Sequence, residues 1–103
     1  MQAAISRILE IVGRRSAEDI RQDKLRVEAL LWNFTVLGEA AAKLKPSLQT
    51  SYPEIAWKRP IGLRNRIVHG YWSIDLEILT ATAHNDLLPL RDQLAKVASD
   101  LSD

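Results

Sequence analysis

The sequence predicts an all-α protein, an antiparallel bundle of four main helices with additional short helices. Apolar residues recur at steps of three and four along several long segments, which is the helical period, and no segment shows a clear strand pattern. No internal repeat or low-complexity tract is present. The chain has 103 residues, of which 47% are hydrophobic, so we expect one helical domain over residues 1–103.

The N-terminal half contains three predicted helices. The first covers about residues 2–13 and carries apolar residues at helical spacing: Ile5, Ile8, Leu9 and Val12. Ser16 should cap a short second helix, and Asp23 should cap the longest one. That third helix is expected to reach Lys45, because Pro46 prevents its continuation. Its apolar stripe, which should cross the core, is formed by Val27, Leu30, Leu31, Phe34, Leu37, Ala41 and Leu44.

The middle of the chain is predicted to be a connector followed by a short helix. Residues 46–58 are rich in proline and serine and could hold one helical turn near residues 47–52. Pro60 suits the first turn of the short helix. Gly70 should end that helix in the left-handed conformation, and so release Tyr71 from helical geometry.

The last predicted helix begins at Asp75, which should act as its cap, with Ile74 and Leu79 as a hydrophobic staple. Pro89 is expected to kink this helix. Its apolar stripe comprises Leu76, Leu79, Ala83, Leu87, Leu90, Leu94, Val97 and Leu101.

Composition restricts the cellular setting. The chain has no cysteine, which excludes a disulfide framework and a thiolate zinc site and fits a reducing compartment. Its N-terminus lacks the charged start and apolar segment of a secretion signal, and no apolar run approaches about 18 residues. We therefore expect a cytoplasmic protein that neither enters nor crosses a membrane.

Charge is unevenly distributed, although the net charge is only +1. Residues 58–72 contain Lys58, Arg59, Arg64 and Arg66 and no acid, whereas residues 75–103 carry six acids against two basic residues. The basic segment could contact RNA, or it could be a basic loop beside a solvated acidic helix.

The most informative motif lies in the basic segment, where Arg64, Asn65 and Arg66 are followed by His69 and Tyr71. Arginine binds phosphate oxygens through a planar, permanently charged fork. Histidine, with an ordinary pKa of about 6.5, gives and takes protons near neutrality. This combination suggests phosphodiester cleavage.

The surrounding segments resemble the HepT-like (DUF86) branch of the HEPN superfamily, from about Ala17 to Leu94. The motifs that carry the resemblance, besides Arg-x4-His-x-Tyr, are Leu37-Gly38-Glu39-Ala40-Ala41, Tyr52-Pro53-Glu54-Ile55-Ala56-Trp57, Ile61-Gly62-Leu63-Arg64-Asn65, Ile74-Asp75-Leu76-Glu77 and Asn85-Asp86-Leu87. The resemblance implies a HEPN helical fold, a homodimer and a toxin with ribonuclease activity.

Helical geometry also favours a dimer. A five-residue step rotates by about 140°, so Arg64 and His69 cannot point the same way from one continuous helix. Two copies meeting about a two-fold axis would place both motifs in a shared cleft, which is the composite site of HEPN ribonucleases. His69 would then act as general base or acid on RNA, and Arg64 would stabilise the phosphate charge, with no metal or cofactor.

Three neighbouring residues have less defined roles. Asn65 could orient the bound phosphate, and Arg66 could add phosphate affinity or pair with Glu77. The family resemblance implies that Tyr71 receives AMP from a minimal nucleotidyltransferase (MNT) antitoxin, which would block RNA by bulk and negative charge. The sequence without the resemblance favours a different interpretation, in which Tyr71 is an interfacial aromatic side chain that packs next to Trp72.

Several alternatives remain open at the level of sequence. Glu28 and Glu39 share a face of the longest helix, either as a buried pair that anchors the short helix or as solvated carboxylates. His84 is interpreted as an ordinary helix histidine, and Trp57 as a core residue. The competing functions are a catalytically silent HEPN module that binds a nucleotide or a nucleotidyltransferase, and a purely structural helical dimer. No recognisable set of residues identifies the RNA target.

Overall fold

The computed structural model of the chain describes residues 1–70 and 75–102, except for the side chain of residue 102. Within those ranges every regular element is a helix, which confirms the predicted all-α class. In chain order the helices are α1 (Gln2–Val12), α2 (Ala17–Arg21), α3 (Lys24–Ala42), α4 (Pro46–Ser51), α5 (Lys58–His69), α6 (Leu76–Asn85) and α7 (Leu87–Ser102).

The first two helices follow the sequence prediction closely. Gly13 ends α1 with a φ of 52°, and its N–H donates to the carbonyl of Leu9 at 2.8 Å. Ser16 and Asp19 form a capping box at the start of α2, with side-chain-to-backbone hydrogen bonds of 3.1 and 3.0 Å. These hydrogen bonds from Ser16, the backbone one first, hold the pKa of the Asp19 carboxyl below its usual value.

Helix α3 begins as predicted but ends three residues earlier than expected. The Asp23 side chain accepts a hydrogen bond from the backbone N–H of Arg26 at 3.2 Å. The helix ends at Ala42 instead of Lys45, because Lys45 precedes a proline and takes an extended conformation (φ −61°, ψ 138°). Pro46 then starts α4 from its first position, which confirms a helical turn in the connector.

The prediction for the end of α5 is wrong in its backbone geometry. Pro60 lies in the first turn as expected, and the helix ends at His69. Gly70, however, has a φ of −150° and is not left-handed. Its N–H donates to the carbonyl of Arg66 at 2.9 Å, a bond that continues the helical pattern past the end of α5. Tyr71 lies outside the described residues, and its predicted release from helical geometry stays a prediction.

The last predicted helix is two helices. Asp75 caps α6 by accepting from the backbone N–H of Glu77 at 2.8 Å, as expected, while the proposed staple partner Ile74 lies outside the described residues. The chain breaks at Asp86, and Pro89 is the third residue of α7. A proline in the first turn loses no intrahelical hydrogen bond, so it accompanies a break instead of the predicted kink.

The core forms around α3, which packs against α1, α2 and α5, while α1 also packs against α6 and α7. Phe34, Leu37 and Leu79 are fully buried within it. The predicted apolar stripe of the last helix ends before Leu101, whose side chain is 65% exposed. Trp57 is buried as expected, and its indole N–H donates to the carbonyl of Tyr52 at 3.0 Å.

None of the helices in the part of the chain that the structure describes is both long and apolar enough to span a membrane.

Candidate functional site

The predicted catalytic pair lies on a single continuous helix, α5, which contains both Arg64 and His69. Five residues on a helix correspond to a rotation of about 140° and a rise of about 7.5 Å. Arg64 is half-buried against the rest of the protein, whereas His69 is exposed in the last turn of α5. One copy of the chain therefore presents the two side chains in different directions, in agreement with the geometric argument from the sequence.

Arg64 is held in place by an acidic residue of α3. Its terminal Nη1 donates to Oε1 of Glu39 at 2.9 Å, and the two side chains are 23% and 44% exposed respectively. The Nε of Arg64 is buried and has no hydrogen-bond partner among the described residues. The guanidinium is thus fixed on one side by a carboxylate, and its Nε donor is left without a hydrogen bond to the residues that the structure describes.

Gly38 is the reason that α5 can come so close to α3. A Cβ at this position would lie 2.2 Å from Cβ of Arg64 and 2.6 Å from the carbonyl oxygen of Pro60. Both distances are far shorter than any real carbon contact, and one of the opposing atoms is backbone. Gly38 therefore sets the position of Arg64 relative to α3. In the sequence, Gly38 is a glycine inside a strongly predicted helix, next to Glu39. It entered the sequence analysis only as part of a motif that carries the family resemblance.

The two acidic residues singled out on the longest helix do not form a buried pair. Glu28 is exposed, and only Glu39 bonds to the motif, through Arg64. The buried-pair interpretation is therefore wrong, although the expected anchoring of the short helix is found at Glu39. Asn33, which lies between the two acids on α3, donates to the carbonyl of Ala29 at 2.8 Å.

The remaining residues of the motif face solvent. Asn65, Arg66 and His69 are exposed. Within residues 1–70 and 75–102, Arg66 forms no salt bridge, so the considered pairing with Glu77 is not formed. Tyr71, the predicted modification site, lies outside the described residues.

His84 is exposed in the last turn of α6. The described part of the chain contains no group of three or more histidine, cysteine, aspartate or glutamate side chains that could hold a metal ion.

A cavity beside α5 was not foreseen from the sequence. It has a volume of about 190 Å³ and lies between α5, the segment before it and the α6–α7 junction. Phe34 and Leu37 of α3 contribute apolar lining, and polar lining comes from Glu54, Arg59, Thr82, Asn85, Asp86 and Gln93. Its lining includes residues on both sides of the break between α6 and α7, which the apolar periodicity did not show.

An exposed apolar surface adjoins the Arg64–Glu39 pair. Trp32 is 66% exposed and lies seven residues before Glu39, on the same face of α3. Trp32, Val36 and Glu39 line one shallow groove. On α5, Val68 follows Arg64 by one turn and is 54% exposed. Large exposed apolar side chains near a charged pair are typical of an interaction surface.

Comparison with known proteins relates the chain to ribonucleases. The chain matches the family described as ribonuclease HepT-like over residues 1–97. It is 27% identical over 94 residues to "Probable ribonuclease HepT" of Thermococcus cleftensis, a match that covers 91% of this chain and 86% of that protein. It is also 26% identical over 86 residues, covering 84% of this chain and 74% of the relative, to a Methanocaldococcus jannaschii protein whose name proposes an RNase. No solved structure matches the chain significantly. The protein belongs to the ribonuclease HepT-like family.

Proposed function

We propose that the protein is a metal-independent endoribonuclease and the toxin of a HepT/MNT toxin–antitoxin pair, acting in the cytoplasm as a homodimer. Each copy would be a single HEPN-like domain, an antiparallel bundle of four main helices. The observation that carries the proposal is the arrangement on α5, in a chain of a ribonuclease family. Arg64 is fixed by Glu39, and His69 is free in solvent on the same helix.

The chemistry follows from these two side chains. His69 would take the proton of a ribose 2′-hydroxyl or give one to the leaving 5′-oxygen. Arg64 would stabilise the negative charge that develops on the phosphate. The 2′-oxygen attacks the phosphorus and the bond to the 5′-oxygen breaks, which gives a 2′,3′-cyclic phosphate and a 5′-hydroxyl. DNA lacks the attacking hydroxyl and would not be cleaved.

A second copy would complete the site. Since Arg64 and His69 point in different directions within one chain, a cleft in which both face one phosphate requires residues from two copies. The apolar surface of Trp32, Val36 and Val68 lies on the helix faces that also carry Glu39 and Arg64. Burying that surface against a partner would bring a second α5 next to the first.

Three further residues have proposed roles at the same cleft. Arg66 and Asn65, both exposed, would bind or orient the RNA phosphates. Tyr71 would accept AMP from an MNT-type nucleotidyltransferase, and the added charge and bulk would exclude RNA. The support for Tyr71 is its place two residues after His69 in the Arg-x4-His-x-Tyr pattern.

Cleavage of total cellular RNA in EDTA tests the catalytic assignment. We expect wild type to produce fragments ending in 2′,3′-cyclic phosphate, and Arg64→Ala and His69→Ala to lose this activity with unchanged helicity by circular dichroism. Arg7→Ala and His84→Ala, which remove exposed residues of the same types, are matched controls. Undiminished cleavage by Arg64→Ala or His69→Ala contradicts the mechanism. Absence of cleavage by unmodified wild type would favour the silent binding module.

Transfer of AMP tests the regulatory assignment. With a nucleotidyltransferase of the MNT type and labelled ATP, Tyr71→Phe should cleave RNA normally but take up no label and escape neutralisation. Tyr52→Phe is the control, because Tyr52 is half-buried and bonds to Asp100 on another helix. Continued labelling of the Tyr71→Phe protein would remove Tyr71 from the account.

A further inference from the structure

Gly62 lies in the interior of α5, and no close contact with another described residue requires a glycine at this position. A Cβ added at Gly62 would meet nothing within 4 Å, whereas one at Gly38 would collide with α5. Glycine inside a helix is less stable than alanine, because its backbone loses more conformational freedom on folding. A glycine with open space around it leaves the helix backbone accessible, which matters when an external group must approach closely.

The surroundings of Gly62 are basic. Gly62 lines a shallow groove together with Lys58, Arg59 and Arg66, and Thr82 and Asp86 form part of its other side. Arg59 and Arg66 stand one turn before and one turn after Gly62, and α5 contains no acidic residue. The acid that lines the groove, Asp86, pairs with Arg59 at 3.7 Å, but both side chains are largely exposed, so the pair is weak.

The groove leads towards His69. Seven residues separate Gly62 from His69, which corresponds to two turns, an offset of only about 20° and a rise of about 10 Å. Arg66 lies between them on nearly the same face. A nucleic-acid strand bound along this face would therefore run from the exposed backbone at Gly62 to His69, the proposed catalytic histidine.

The groove also opens onto the cavity described above. The two share Arg59, Leu63, Thr82 and Asp86 as lining residues. At about 190 Å³ the cavity is smaller than the roughly 300–1,000 Å³ typical of small-molecule sites, so its size suits one planar ring. Asn85 and Gln93 are among its lining residues, and a side-chain amide can both donate to and accept from the edge of a base.

We propose that the face of α5 formed by Gly62, Arg66 and His69 binds the part of the RNA strand that flanks the cleavage position. A phosphate lies over Gly62 between Arg59 and Arg66, and the neighbouring base is unstacked into the cavity. This inference rests on the proposed ribonuclease function and adds to it a substrate-binding subsite of one nucleotide. Single-stranded RNA is the occupant favoured by the charge of the groove and by the ring-sized cavity next to it.

Binding of a short RNA that cannot be cleaved tests the subsite. The probe is a fluorescent single strand of about twelve nucleotides of mixed sequence, methylated on every 2′-oxygen, and the readout is fluorescence anisotropy. Gly62→Gln adds bulk without charge and should weaken binding at least about tenfold, the effect of losing one base or phosphate contact. Its melting temperature should not fall, since the position is open. Ala95→Gln, at an exposed position of α7, should bind like wild type.

Charge variants test the same groove independently. Arg59→Ala and Arg66→Ala should each weaken binding and reduce the slope of log affinity against log salt by about 0.7, and Arg7→Ala should not. Asp86→Asn should tighten binding for two reasons. It frees Arg59 from its salt bridge, and it removes a negative charge of the protein that would repel the RNA phosphates.

Three results would overturn the inference: no binding of the probe by wild type, a change of less than about twofold for Gly62→Gln, or dissociation of a dimer by Gly62→Gln at unchanged RNA affinity. The last result would identify the face as a protein contact. Because the probe cannot be cleaved, these results are separate from the cleavage test, and a failure of the subsite can be told apart from a failure of the ribonuclease function.

Discussion

The two glycines in helix interiors have opposite surroundings, and this difference determines what each does. Gly38 lies where α5 meets α3, and its missing side chain sets the distance between Arg64 and Glu39. Gly62 lies in the open and has no such packing role among the described residues. Glycine therefore allows close helix packing at position 38 and, in our proposal, RNA binding at position 62.

Replacing Gly38 with alanine should destabilise the protein, because the new Cβ would have to move α5 away from α3. We expect a loss of about 1–3 kcal/mol in the free energy of unfolding, as for other overpacked positions. Gly62→Ala is the matched control and should raise stability by about 0.5–1 kcal/mol. Urea unfolding followed by circular dichroism measures both. Equal effects of the two substitutions would contradict the assignment of Gly38.

Glu39 is expected to be a positioning residue for Arg64. Glu39→Ala removes the acceptor at 2.9 Å from the guanidinium and should lower kcat for RNA cleavage about tenfold, whereas Glu39→Gln, which keeps an oxygen acceptor, should lose less. In an Arg64→Ala background, Glu39→Ala should have little further effect, because the two residues act as a unit. Glu28→Ala, at an exposed position of the same helix, is the control. Additive losses in the double variant would argue against positioning.

At the scale of elements, helix starts followed from local chemistry more closely than helix ends did. Ser16, Asp23 and Asp75 cap their helices as predicted, because a short polar side chain satisfies the first backbone N–H groups from its own neighbourhood. The break at Asp86 was missed, since the apolar stripe continues from α6 into α7 at nearly helical spacing. Both segments pack against α1, which is compatible with either a kinked helix or two helices.

Pro89→Ala should leave this break in place. Pro89 lies in the first turn of α7, where its missing N–H costs no hydrogen bond, so we expect a change in unfolding free energy below about 1 kcal/mol and unchanged helicity. Leu79→Ala, at a fully buried position of α6, should cost about 2–5 kcal/mol and shows the sensitivity of the assay. A clear rise in helix content for Pro89→Ala would mean that the proline itself separates the two helices.

At the scale of the whole molecule, the exposed face of α3 decides the oligomeric state in our proposal. Trp32→Glu places a charge in the middle of the apolar surface and should shift a dimer to monomers in sedimentation equilibrium, with loss of cleavage but not of helicity. Leu101→Glu, at an equally exposed position near the end of α7, should leave assembly unchanged. Active monomers of the Trp32→Glu protein would exclude a composite site.

The sequence by itself determined the helical class, most helix starts, the greater part of the buried core and the family, because these depend on periodicity, capping chemistry and short motifs within the chain. Only the tertiary structure decided which acid meets Arg64, how closely α5 approaches α3, and that a cavity adjoins the basic face of α5. Glu28 and Glu39 share a helix face and are equivalent in the pattern, yet only Glu39 lies beside α5. Such contacts depend on where separate helices cross, and the spacing of residues along one helix carries no record of that crossing.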